Sequence, residues 1–145
     1  LHNVQGVVYL IAFCHKRKQV RDFLIGRIRE WKLLSSYFLI NDNFSIEEYL
    51  SKGFLAERGD KLIDIAIMFD EYQSRWIRDR SWHSSQQIEE LPSGGLILRL
   101  WVGGVQEVKR WVMGYGPHAE VLKPESLRNQ FKNEIEEMKK IYDKK

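Results

Sequence analysis

The chain has 145 residues, 43% hydrophobic and 30% charged, a globular mixture and not a disordered one. No apolar run approaches the roughly 20 residues that span a bilayer; no charged segment precedes an apolar core as in a signal peptide; and the single cysteine, Cys14, excludes an internal disulfide framework and fits a reducing cytosol. The net charge of +3 does not by itself imply a nucleic-acid-binding surface, but Lys16, Arg17, Lys18, Arg21, Arg27 and Arg29 stand together against Asp22 alone, which points to a local anion site.

Leu1 is not a start methionine, and the chain reads as a piece of something longer. Val7 to Phe13 is a short, continuous, β-branched apolar run and reads as a buried strand. His15 to Gln19 is a polar turn, and Val20 to Ile25 returns as the second strand of a hairpin. Gly26 marks a bend or bulge, after which Arg27 to Leu34 continues as a third strand. So few strands need a partner face, expected upstream of Leu1. Ser35 to Asn43 is a connector. Ser45 with Glu48 forms a capping box, and Phe44 with Tyr49 has the spacing of a hydrophobic staple, so a helix runs to about Lys52 and stops at Gly53. A turn follows over Glu57 to Asp60.

From Leu62 one theme runs twice. Leu62 to Phe69 is a strand with Ile63, Ile65, Ile67 and Phe69 on one face. Asp70 caps a helix whose stripe is Tyr72, Trp76 and Ile77 and which runs to about Arg80. His83 to Leu91 is a more polar, half-exposed or edge strand, and Pro92-Ser93-Gly94-Gly95 is a turn. Leu96 to Val102 is a strand with its leucines and Val102 inward. Val105, Val108, Trp111 and Val112 recur at helical spacing until Gly114-Tyr115-Gly116-Pro117. Ala119 to Leu122 is a short strand. Glu125 to Tyr142 is a helix with the seam Leu127, Phe131, Ile135, Met138 and Tyr142, suited to its own sheet or to a second subunit. The order strand, helix, strand, strand, helix, strand is the ferredoxin-like pattern, which leaves one sheet face free.

Nucleophile-elbow, phosphate-loop and zinc-protease motifs are all missing. Cys14 and His15 are neighbours on a strand and point to opposite faces, which suits a buried cysteine better than a nucleophile–base pair. The histidines His2, His15, His83 and His118 are scattered, unlike metal ligands. Most tryptophans, Trp76 and Trp111 among them, fit core stripes; Trp101 faces away from Leu100 and Val102 and is the aromatic candidate for a contact surface, with Arg99 nearby. The hairpin carries the sharper signal. Arg21 and Phe23 share a face, and Arg27 reaches the same side if the chain bends at Gly26. Two guanidinium groups beside Tyr9 would hold a phosphate or carboxylate with a ring to stack on a base. Read from the residues alone, these are equally ordinary solvated strand charges.

Val8-Tyr9-Leu10-Ile11-Ala12-Phe13-Cys14-His15, followed by Arg21-Asp22-Phe23 and Arg27-Ile28, resembles the second half of a WYL domain, with Val8 at the tryptophan position. Arg80-Ser81-Trp82-His83-Ser84-Ser85-Gln86, Val112-Met113-Gly114-Tyr115-Gly116-Pro117 and Val121-Leu122-Lys123-Pro124 with Leu127 resemble the WCX extension that follows WYL domains. The resemblance implies a bacterial transcription regulator: a winged helix-turn-helix that binds operator DNA, an Sm-like (SH3-type) β-barrel that senses an effector, then the WCX domain, associated with dimerisation. It implies an anionic effector, a nucleotide or short single-stranded DNA, at Tyr9, His15, Arg21 and Arg27.

The expectation is therefore an α+β chain with three parts: a partial Sm-like barrel hairpin over 1–34, a connector with a short helix over 35–60, and a ferredoxin-like βαββαβ domain with an extra C-terminal helix over 61–145. The winged helix and the first half of the barrel are expected to be missing, which leaves the pocket incomplete. The chain is expected to be a cytoplasmic homodimer with no enzymatic activity, cofactor or metal. The alternative is a small-metabolite sensor using the free sheet face at Trp101 and Arg99.

Overall fold

In the computed structural model, which describes residues 1–39, 43–59 and 61–144, the chain divides into two units, Leu1–Phe44 and Ser45–Lys145. The first is built on an antiparallel sheet of β1 (His2–Val4), β2 (Val7–Cys14) and β3 (Gln19–Leu24), in that order. The expected β2–β3 hairpin forms. Its loop is closed by Lys18 N and Arg17 N donating to Cys14 O at 2.7 and 3.1 Å.

Three expectations for this unit need correcting. β1 is an unforeseen strand, made by a two-residue turn: Gln5 and Gly6 have φ 49° and 85°, as a type I′ hairpin requires, and Gly6 N donates to Asn3 Oδ1 at 2.9 Å. The strand expected over Arg27 to Leu34 does not form. Ile25–Arg27 is a 3-10 turn, with Ile28 N bonded to Ile25 O at 3.0 Å, and it turns the chain away before it can run back along β3. Finally, Val7 to Phe13 is not buried: Val7, Leu10 and Phe13 are exposed and the rest half-buried, because one small sheet cannot cover an apolar run on both faces. The stretch 35–43 has neither helix nor strand in its described part, and residues 40–42 lie outside the described residues.

The second unit opens with α1 (Ile46–Ser51), where Ser45 Oγ accepts from Glu48 N at 3.1 Å and the Glu48 carboxylate pairs with Lys52 at 2.7 Å. β4 (Gly53–Phe54) and β5 (Glu57–Arg58) follow as a short ladder that turns at Leu55, φ 56°. The turn expected over 57–60 is thus displaced toward the N-terminus, and Asp60 lies outside the described residues. Two crossing carboxylates hold this ladder to the chain fifty residues on. Glu107 accepts from Ala56 N and Glu57 N, both at 2.7 Å, and Glu57 accepts from Glu107 N at 2.8 Å. Glu57 thereby satisfies a free N–H at the start of α3 (Gln106–Met113), whose own N-cap residue, Val105, cannot.

The main sheet comprises β6 (Ile63–Phe69), β7 (Gln87–Glu90), β8 (Leu96–Val102) and β9 (Ala119–Lys123), antiparallel throughout, in the order β7-β8-β6-β9. α2 (Glu71–Arg78) joins β6 to β7, and α3 joins β8 to β9. The β6–β8 register sets Ile65 opposite Leu100, Ile67 opposite Leu98 and Phe69 opposite Leu96, all fully buried. Ile77, Val108, Val112, Val121, Leu127 and Phe54 complete this core. Burial of each such side chain stabilises the fold by roughly 1.5–3 kcal/mol relative to exposure.

Asp70 caps α2 as expected, accepting from Gln73 N at 2.9 Å. The Tyr72, Trp76 and Ile77 stripe does not hold: Ile77 and Ser74 are buried, whereas Tyr72 is 55% and Trp76 45% exposed. Ser74 Oγ donates to Gly94 O at 3.0 Å, and this bond turns Tyr72 and Trp76 to the far side of the helix. The edge strand is also shorter than expected, beginning at Gln87. α4 (Glu125–Tyr142) seats Leu127 in the core and Phe131 against it; beyond them Ile135, Met138 and Tyr142 are exposed. Arg128 clamps the helix to β9, donating to Val121 O at 2.9 Å and pairing with Glu120 at 2.6 Å. Among the described residues, no helix is long and apolar enough to cross a membrane.

Candidate functional site

The cationic hairpin of the first unit was the leading candidate, and its register decides which side chains share a face. Residues opposite each other in an antiparallel pair point the same way. Tyr9 lies opposite Leu24 on one side and His2 on the other. Arg21 lies opposite Ala12, and Phe23 opposite Leu10. Arg21 and Phe23 therefore do share a face, but it is the face opposite Tyr9. The expected convergence of arginine beside Tyr9 is corrected on this point: the even residues of β2 pair with the odd residues of β3. His15 joins the Tyr9 side, since its ring meets Phe13 edge-on at 5.3 Å, two residues along from Ile11. Arg27 sits in the 3-10 turn.

Arg21, Arg27 and His15 are exposed and Tyr9 is half-buried. Neither Arg21 nor Arg27 has a carboxylate partner among the described residues. The turn adds exposed Lys16, Arg17 and Lys18. The turn end of the hairpin is therefore rich in exposed positive charge, with Arg21 just inside it on one face and Phe13 and His15 on the other, while Arg27 lies at the opposite end beyond Leu24.

The second candidate pair, Trp101 and Arg99, lies on the outer face of the main sheet, as the strand alternation predicts. Trp101 is opposite Asp64, and Arg99 is opposite Ala66 on one neighbour and Gln87 on the other. Both are half-buried, and Arg99 pairs with Glu89 at 3.5 Å.

The stretch from Arg80 to Gln86 is accounted for by its own hydrogen bonds. Gln86 Oε1 accepts from Trp82 N at 2.6 Å, and Trp82 Nε1 donates to Ile77 O at 3.0 Å. Ser85 Oγ accepts from Trp101 N at 2.9 Å and also meets Trp101 O at 3.2 Å, so it continues the sheet where the edge strand has not begun. His83 Nδ1 lies 2.6 Å from Ser85 Oγ and accepts from Ser85 N at 3.1 Å. Burial pushes the His83 imidazole below its ordinary range, while the backbone at Gly53 and Ser51 works the other way. A depressed imidazole contributes stability that is present above its unfolded value, about pH 6.5, and is lost as pH falls through the lower folded value. The urea midpoint of the second unit should therefore fall on acidification below about pH 6.5. His83→Asn should flatten that fall; an unchanged pH profile in the variant would refute the assignment to His83.

The aromatic residues that the helical spacing assigned to the core, Tyr72 and Trp76, are instead on the surface beside Trp82 and Tyr115. The signal that separates the two outcomes is Ser74, a small polar residue on the buried face of α2.

Comparison with known families matches residues 61–139 to the WCX domain and residues 1–33 to the WYL domain. Curated proteins yield no match. Among solved structures, proteasome accessory factor B/C (PafBC) of Arthrobacter aurescens is similar at 21% identity and a TM-score of 0.41, over 88% of this chain and 19% of that one. The chain thus spans 19% of the length of that solved protein.

Proposed function

Because the chain belongs to the WCX family and carries a WYL segment ahead of that domain, we propose that it is the effector-sensing and dimerising part of a bacterial transcription regulator. In this reading Arg21 and Arg27 bind an anionic effector, a nucleotide or a short single-stranded nucleic acid. The observation that carries the reading is the pair of exposed guanidinium groups, without carboxylate partners among the described residues, inside the matched WYL segment. An arginine kept free of internal ion pairs remains available to phosphate, which it binds with two donors at once. Tyr9 and His15 offer a stacking surface on the opposite face, which a strand of nucleic acid passing round the hairpin would reach and a mononucleotide bound at Arg21 would not.

The same reading takes residues 1–34 as part of an Sm-like barrel, 35–60 as a connector and 61–145 as a ferredoxin-like domain with an added helix. The strand order β7-β8-β6-β9, with a helix in each crossover, supports the last of these. The regulator works in the cytoplasm as a homodimer, reads operator DNA through a winged helix-turn-helix, and performs no catalysis. The effector changes DNA binding only to the extent that it prefers one of two conformations. The alternative, a metabolite held at Trp101 and Arg99, is less favoured because Glu89 already neutralises Arg99.

Arg21→Ala combined with Arg27→Ala should abolish binding of a short single-stranded oligonucleotide, followed by fluorescence anisotropy, and leave the far-ultraviolet circular dichroism unchanged. The unsubstituted protein should lose affinity steeply with salt as phosphate contacts release counterions. Unaltered affinity in the double variant would sink the assignment. Loss of binding with Trp101→Ala alone would move the site to the sheet.

A further inference from the structure

The second unit holds an open cleft of ≈320 Å³ lined by Tyr72, Gln73, Trp76, Arg80, Trp82 and Tyr115. That volume lies at the small end of the range for small-molecule sites, enough for one fused ring system. Four of the six lining side chains are aromatic, and Trp82 and Tyr115 are fixed by their neighbours. Tyr72 and Trp76 meet at 5.0 Å and 64°, and Tyr72 also lies 4.9 Å from His118, which is itself held by Asp70 at 2.7 Å. Trp82 packs on Trp111 at 4.8 Å and is locked by its bond to Ile77 O. Tyr115 stands edge-on to Phe69 at 5.3 Å and to Trp111 at 5.2 Å. Walls held like Trp82 and Tyr115 need no reordering to receive a flat ligand, and the exposed rings of Tyr72 and Trp76 gain by being covered.

Arg80 sets the charge of that ligand. Arg78, Arg99, Arg110 and Arg128 each have a carboxylate partner, at 2.6, 3.5, 3.7 and 2.6 Å. Arg80, like Arg75, has none among the described residues, and of these two it is Arg80 that lines the cleft, its guanidinium 5.7 Å over the Trp82 ring. Burial pushes the Tyr115 hydroxyl above its ordinary range, with Trp111 and Arg80 working the other way. A cationic guest would be repelled by Arg80, and a neutral aliphatic one would use neither the charge nor the rings.

We propose that this cleft is a binding site for a planar aromatic anion, with the ring against Trp76 and Tyr72 and the anionic group on Arg80. The site is built from residues of the second unit alone and does not rest on the reading of Arg21 and Arg27. Two sources share this chemistry, an aryl carboxylate and a nucleoside monophosphate.

The test titrates the full chain with 2-naphthoate and with adenosine 5′-monophosphate, using tryptophan fluorescence checked by calorimetry. The uncharged analogues 2-naphthamide and adenosine serve as partners for comparison. At least one charged probe should bind saturably, and about tenfold or more tighter than its uncharged analogue, the scale of one charge-assisted hydrogen bond. Arg80→Ala should remove that preference and Trp76→Ala should weaken both forms, each read in the Arg21→Ala, Arg27→Ala background so that nucleotide binding at the hairpin does not enter. The preferred probe identifies the source. The proposal is overturned if neither charged probe saturates by millimolar concentration, if charge makes no difference on the unsubstituted chain, or if binding ignores Arg80→Ala and Trp76→Ala in variants that keep their circular dichroism.

Discussion

Trp111→Ala is expected to destabilise the second unit by about 3 kcal/mol, the low end of the range for removing a large aromatic side chain, because Trp111 is half-buried against the core. Trp111 projects from α3 beside the buried Val108 and Val112 and is the hub of an aromatic cluster. Its ring centroid lies 5.2 Å from Phe54, 5.9 Å from Phe69, 4.8 Å from Trp82 and 5.2 Å from Tyr115. Those partners come from β4, β6, the loop before β7 and the turn after α3, so no single element can move in to fill the space. Urea unfolding should show a lower midpoint at a similar slope. Trp76→Ala is the control: that ring is on the surface and its loss should cost well under half as much. Equal losses in the two variants would mean that the cluster around Trp111 is not the core it is taken to be. Trp111 also backs two walls of the aromatic cleft, so its removal should loosen Trp82 and Tyr115 and weaken any ligand held there.

What was readable in advance follows from the range of the forces involved. The bounds of α4, the alternation of Leu96 to Val102 and the caps Ser45 and Asp70 are set by residues within a turn of one another, and they came out as the spacing indicates. β4 and β5 were not readable: two-residue strands have no period, and their turn is held by Glu107, fifty residues away. β1 was marked by Gln5-Gly6, but three residues of strand make too short a pattern to register. Trp76 was misplaced because hydrophobicity alone chose the face of α2, whereas Ser74 bonded to Gly94 O fixes it. The candidate site shows the same division. The cluster of positive charge is a property of composition and was plain. Whether Arg21 stands beside Tyr9 depends on a register that a shift of one residue would invert.

Gly59→Ala is expected to cost about 3 kcal/mol, the upper end of the range for overpacking. A Cβ at Gly59 would overlap the backbone carbonyl oxygen of Gly103. Backbone cannot rotate aside as a flexible side chain can, and here it is also tethered. Gly103 N donates to Lys52 O at 2.6 Å, while on either side of the contact the Glu57–Glu107 exchange ties the β4–β5 ladder to α3. Relief of the clash must therefore either break the Gly103 bond or draw Glu57 away from Glu107 N, and each exposes a polar group that burial had paired. Gly26→Ala provides the comparison in the first unit, since a Cβ there would meet nothing within 4 Å. It should be neutral or slightly stabilising through the unfolded chain. Thermal or urea unfolding of the two variants separates the cases. If Gly59→Ala behaved like Gly26→Ala, the close approach of residues 59 and 103 would not be a constraint on this fold, and the pairing of Glu57 with Glu107 would have to hold the ladder without it.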